Sequence, residues 1–105
     1  MGIRDRLKIV RKAEIIAKVS SQTGVDRVDV QEVVEATLIT IKESLKNGES
    51  VYIRGFGTFS NKKRAKKIAR NISTNTAIIL DAHYTPNFKP SKLFVESVKE
   101  NNKIN

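Results

Sequence analysis

The chain has no cysteine, which removes disulfides, thiolate metal sites and thiol catalysis together. It has one histidine, His83, too few for a histidine metal cluster. No nucleophile stands with a base and an orienting acid, and no paired buried carboxylates are visible. The longest apolar runs are a few residues, too short for a transmembrane helix. The opening MGIRDRLKIV is basic but lacks the apolar stretch of a signal peptide. Arg6 stands where a myristoylation motif needs Ser or Thr. The chain is therefore expected to stay in the cytoplasm. At 105 residues it is one small domain, with little room for a deep enclosed active site. No enzyme activity, cofactor, metal site or small-molecule substrate is expected.

Charge is what the sequence has in quantity. Lys and Arg number 20 against 11 Asp and Glu, a net charge of +9. The distribution is uneven: +4 over residues 1–12, −3 over 13–49, +7 over 50–80 and +1 over the remainder. No acidic side chain occurs from Ser50 to Leu80. Charge that serves solubility alone would be spread out. A segregated field points to a polyanionic partner, nucleic acid first and an anionic membrane surface second.

Ile9, Val10, Ala13, Ile16 and Ala17 recur at helical spacing, with Ile15 and Val19 slightly round the wheel. Gly24 ends that helix. A second helix is expected from near Asp26, with an acidic first turn. Its apolar face is Val30, Val33, Val34, Thr37, Leu38, Ile41 and Leu45, and Asn47-Gly48 stops it. The short link between the two helices implies a helical hairpin. The period then changes to two: Val51 and Ile53 form a strand, Gly55-Phe56-Gly57 a sharp turn, and Thr58-Phe59 the next strand. Strand-like flanks around the polar tip NISTNT read as one long β-hairpin arm over residues 60–80. Pro86 and Pro90 bracket an expected loop around Phe88. Ser91 can cap a last helix with Leu93, Phe94 and Val98 on one face, and residues 101–105 form a tail.

Three motifs in order carry a resemblance. Arg54-Gly-Phe-Gly-Thr-Phe59, the basic arm ending Arg70-Asn71, and Pro86-Asn-Phe-Lys-Pro-Ser-Lys92 resemble the histone-like HU and integration host factor family of bacterial DNA-bending proteins. The opening Arg11-Lys-Ala-Glu-Ile-Ile16 resembles that family's first helix, and the match runs from about Arg11 to Lys99. The resemblance implies an α+β, IHF-like DNA-binding fold. It would be an intertwined dimer with a helical body and two protruding β-hairpin arms that reach round DNA into the minor groove. This family is a known example of minor-groove architectural proteins. The implied organisation is a basic N-terminal extension over residues 1–10 and the DNA-binding domain over residues 11–100. Lys12 and Lys92 match body positions that clamp phosphate. Arg54, Lys62, Lys63, Arg64, Lys66, Lys67, Arg70 and Asn71 fall on the arm or its base as DNA-binding candidates. Phe56, Phe59 and Phe88 match the dimer core.

Three departures stand out. The family's wedge proline at the arm tip is Ile72 here; isoleucine also occurs among known wedges, though it is less rigid. The tip glycine is Asn75, which tolerates positive φ. Ala13 stands where the first helix usually has a Ser or Thr cap. Ahead of it, Ile3, Leu7 and Val10 are spaced as if that helix extended backwards.

Blander readings accompany each feature. The basic run could be a solvated loop, since charge runs usually face water. Asp26, Asp29, Glu32 and Glu35 imitate a metal site but read as an acidic helix start and outer face. His83 reads as a lone surface or packing histidine. The N-terminal extension is either a floppy tail or a basic segment touching DNA. Residues 60–80 carry no aromatic, so single-strand stacking is disfavoured and duplex backbone contact preferred. The expected function is a nucleoid-associated, histone-like homodimer that binds, bends and condenses double-stranded DNA with low sequence specificity. The alternatives are a site-specific, heterodimeric integration-host-factor-like subunit, or a basic scaffold binding RNA or an acidic protein.

Overall fold

A computed structural model of the chain describes residues 8–102. The elements are α1 (Lys12–Thr23), α2 (Arg27–Lys46), β1 (Val51–Ile53), β2 (Gly57–Arg64), β3 (Lys67–Asn71), β4 (Thr76–Leu80), β5 (His83–Pro90) and α3 (Lys92–Asn101). Two compact units divide inside α2, between Thr40 and Ile41.

The first unit is the helical hairpin. α1 ends where Gly24 adopts a left-handed φ of 76° and returns its N–H to the Ser20 carbonyl at 2.9 Å. A side chain would be strained at that φ, which is why the stop is a glycine. The Ser20 hydroxyl donates to the Val25 carbonyl at 2.6 Å, holding the link between the helices. Ile16 and Val30 are the buried apolar residues here. The expected backward extension of α1 is not found. Residues 8–11 lie outside any helix, and Arg11, extended at φ −92° and ψ 166°, is the N-cap without a side-chain cap bond. The cap position is thus Arg11, and Ala13 already lies inside the helix. Ile3 and Leu7 lie outside the described residues.

The second unit is built on a three-stranded antiparallel sheet, ordered β1-β2-β5. Between β1 and β2 the chain reverses through Arg54-Gly55-Phe56, closed by the Phe56 N–H to the Ile53 carbonyl at 3.0 Å. Gly57 is buried, and a Cβ there would lie 2.6 Å from both the Lys89 carbonyl oxygen and the Phe88 ring. Only glycine lets β2 and β5 close at this point. Phe59 pairs with Phe88 across the sheet, ring centroids 4.7 Å apart. Phe56 lies 5.2 Å from both the Phe88 and Phe94 rings. The cluster therefore joins the turn, the sheet and α3. Ser91 fastens the start of α3 twice: its hydroxyl accepts from the Phe94 N–H at 3.1 Å, and its own N–H donates to the Phe56 carbonyl at 2.9 Å. Asn61 caps the other helix end in this unit, donating to the Leu45 carbonyl at 2.8 Å.

Two expectations change here. Residues 86–90 are not a loop: Pro86 pairs with Asn61, Phe88 with Phe59 and Pro90 with Gly57. β5 is an edge strand, the place in a sheet where proline is tolerated. The hairpin is also longer than residues 60–80. Its paired strands run from Gly57 to Pro90, interrupted only at residues 65–66 and 81–82, with Arg64↔His83 on one side of the gap and Lys67↔Leu80 on the other. Residues 60–64 therefore belong to the body sheet, and β3 with β4 makes a separate two-stranded ribbon.

Gly57→Ala is expected to destabilise the chain by about 1–3 kcal/mol, as overpacking does. Urea unfolding checks this, and an unchanged midpoint would show that the sheet can open at Lys89 without cost.

Candidate nucleic-acid interface

Alternation along β2 sorts its side chains onto two faces. Phe59 takes the face of the aromatic cluster, and Asn61 and Lys63 follow it. Thr58, Ser60, Lys62 and Arg64 take the other, beside Lys89, Asn87, Thr85 and His83 of β5. That outer face is polar and cationic, and it includes Lys89, which the sequence alone leaves unassigned. Read as strand residues rather than loop brackets, Pro86 and Pro90 would have put Lys89 in a strand, though its place opposite Thr58 comes from the register. Phe94 likewise completes the aromatic cluster, a role that its place on an apolar helix face does not reveal. Arg54 is exposed in the turn before β2.

The ribbon is chemically lopsided. Lys67 and Arg70 stand on β3, on opposite faces, and Lys66 just precedes it. From Asn71 to Leu80 there is no charge at all. β4 is exposed throughout, with Ile78 42% and Ile79 59% accessible. Among the described residues, no carboxylate pairs with Lys62, Lys63, Arg64, Lys66, Lys67 or Arg70. Six cations held close on one stretch repel each other, and only an external anion can relieve that. At the tip, Asn71 accepts from the Ser73 N–H at 3.0 Å through its side-chain oxygen, and Ile72 is 92% exposed.

The two clamp candidates differ. Lys92 is exposed at the first position of α3. A cation there opposes the helix dipole, so the position is costly unless an anion joins it. Lys12 begins α1, and its ammonium donates to the Glu35 carboxylate at 2.8 Å. Gln31 adds a longer bond to the same oxygen at 3.3 Å. The Lys12 hydrogen bond and charge, with the Gln31 bond, hold the Glu35 carboxyl below its ordinary value. A phosphate reaching Lys12 therefore competes with Glu35. His83 has a local bond through Nδ1 to the Asp81 carbonyl at 2.8 Å. Among the described residues, no three His, Asp or Glu side chains gather as a metal site, and no helix is long and apolar enough to cross a membrane.

Residues 10–99 match the family model described as "Bacterial DNA-binding protein". The SPbeta prophage-derived DNA-binding protein HU 2 of Bacillus subtilis is 42% identical over 90 residues, 86% of this chain and 98% of that one. The integration host factor subunit beta of a Marinomonas species is 41% identical over 97 residues, 90% of this chain and 95% of that one. Among solved structures, Anabaena HU co-crystallised with DNA superposes with a TM-score of 0.81 at 32% identity, covering 85% of this chain and 97% of that one.

Glu35 is expected to titrate below the usual glutamate range by NMR, and Lys12→Met to return it there. The sign follows from the depressed value. The pair's contribution to stability is complete above the ordinary glutamate pKa and is lost as pH falls through the lowered one. Glu35→Gln should release Lys12 and strengthen duplex DNA binding at neutral pH. Unchanged binding in titrations of that variant would mean that Lys12 does not reach phosphate.

Proposed function

The chain belongs to the bacterial DNA-binding protein family that includes HU and integration host factor, and from that premise we propose that two copies of it grip and bend duplex DNA in the nucleoid. It is an architectural DNA-binding protein rather than an enzyme. The observation that carries the reading is the ribbon: a strand of unpaired cations beside an uncharged strand, ending in an apolar residue 92% exposed. Lys62, Lys63, Arg64, Lys66, Lys67 and Arg70 replace counterions along the phosphate backbone. Arg54, Lys89 and Lys92 extend that contact at the body. Asn71 and Ile72 enter the minor groove, where Ile72 fills a base step as it opens. Any sequence preference then comes from how easily the DNA deforms. The relatives do not favour the alternative of a site-specific subunit.

The dimer is argued from what the chain fails to cover. Only Ile16 and Val30 are buried among its described apolar residues. Phe56 is 42% exposed, Val33 66% and Leu93 73%. An apolar recess of about 320 Å³ opens among Phe88, Pro90, Phe94, Val95, Val98 and Lys99. Exposed apolar surface on this scale marks an association site, and a second copy supplies the missing half of the core.

The parent should sediment as a dimer at micromolar concentration, and Phe59→Ala should weaken dimerisation, losing up to the roughly 3–5 kcal/mol of a core aromatic truncation. A folded monomer would refute the assembly.

If the dimer meets roughly 6–10 phosphates, log K should fall with log salt at a slope of about −5 to −9. Arg64→Ala or Lys67→Ala should flatten the slope by about 0.9 for each phosphate no longer neutralised. A nearly flat slope in the parent rules out the ribbon as a phosphate-binding device.

A further inference from the structure

The turn that carries Ile72 is braced by side chains on both sides. It joins Asn71 at the end of β3 to Thr76 at the start of β4. Asn75 adopts a left-handed φ of 56°, which asparagine tolerates because its short amide bonds locally. The Asn75 Oδ1 accepts from Arg70 Nη1 at 3.0 Å. The Thr74 and Thr76 hydroxyls share a hydrogen bond at 2.6 Å. On the opposite flank lies the Asn71 to Ser73 bond already described. Ile72 itself projects into solvent.

Building on the reading of Ile72 as a wedge, we infer that Arg70 is a positioning residue for it. Its guanidinium holds Asn75, fixes the turn, and thereby sets the direction in which Ile72 meets a base step. The need follows from the side chain. Isoleucine lacks the ring that locks proline's φ, so its presentation must be fixed by its surroundings. Arginine suits the task because its five donors form a planar fork. One N–H engages Asn75 and the others remain for phosphate. In free solution water competes for this bond. Enclosed in a groove, the bond strengthens as water leaves. Arg70 therefore couples phosphate contact to the shape of the tip.

The test compares the parent, Asn75→Gly, Asn75→Asp and Ile72→Ala. Bending is read at saturating protein by energy transfer between duplex ends, and affinity at several salt concentrations. Asn75→Gly keeps the left-handed φ without steric cost and keeps every charge; it removes the side-chain amide, and with it the acceptor that Arg70 uses. Its saturated bend should fall towards that of Ile72→Ala while its salt slope stays that of the parent. Asn75→Asp keeps an acceptor and turns the bond into an ion pair; it should bend saturated DNA like the parent, though binding more weakly. Parental bending by Asn75→Gly beside reduced bending by Ile72→Ala would overturn the brace and leave the wedge standing. Parental bending by both would overturn the two together. Loss of bending in both Asn75 variants would assign the effect to the amide itself and reject the bond. A flattened salt slope in Asn75→Gly would make the pair a phosphate contact and also reject the inference.

Discussion

Four phenylalanine rings hold the second unit together without being able to bury themselves. Phe59 and Phe88 pair across the sheet, Phe56 bridges from the turn, and Phe94 brings in α3. The other local devices serve this cluster. Gly57 allows the strands to close beside Phe88, and Ser91 fixes the angle at which Phe94 arrives. Yet Phe56 remains 42% exposed. Among the described apolar residues only Ile16 and Val30 are buried, so the ring cluster keeps an uncovered side. In the proposed dimer, folding and association become one problem, and stability would then depend on concentration.

The charge is arranged to the opposite logic. Cations concentrate along the outer end of β2 and on β3, where the paired strands run out beyond the aromatic cluster. β4 offers no carboxylate in return. This is expensive in isolation, since like charges at short range oppose the compact state. Where an anion does sit next to a candidate cation, at Lys12 and Glu35, it is in the first unit and open to competition by solvent and ligand. The chain thus holds both arrangements: a cation strip without carboxylate partners, and a candidate clamp lysine, Lys12, that already has one.

Much of this was legible in the sequence. Helical spacing around Ile16 and Val30, the stop at Gly24 and the cap at Ser91 are written in local residue chemistry, and the structure has them; the turn expected at residues 55–57 falls at 54–56, with Gly57 already in β2. The cation run from Lys62 to Arg70 could be read directly because absence of acid needs no folding to be seen. What failed depended on pairing. Pro86 and Pro90 look like loop residues until β5 is known to be an edge strand. The face of Lys89 follows only from its register with Thr58. The backward extension of α1 rested on spacing alone, and the extended Arg11 interrupts it. The bonds of Lys12 to Glu35 and of Arg70 to Asn75 join residues that no local pattern brings together.

The shared register of the two halves of the hairpin fixes how its reach can vary. Across the gap at residues 65–66 and 81–82, both strands skip the same number of residues, so Arg64↔His83 and Lys67↔Leu80 stay in step. One residue added to a single strand would turn every later side chain to the opposite face. The arm can be lengthened only by matched insertions on both strands, each carrying the tip outward by about 3.3 Å per residue. Insertions of one residue per strand would also rotate Ile72 to the other side of the ribbon, whereas two per strand would restore it. The span between body and Ile72 is therefore a discrete quantity, and variants of this architecture should differ in reach by whole pleats, about two residues per strand at a time, rather than by graded amounts.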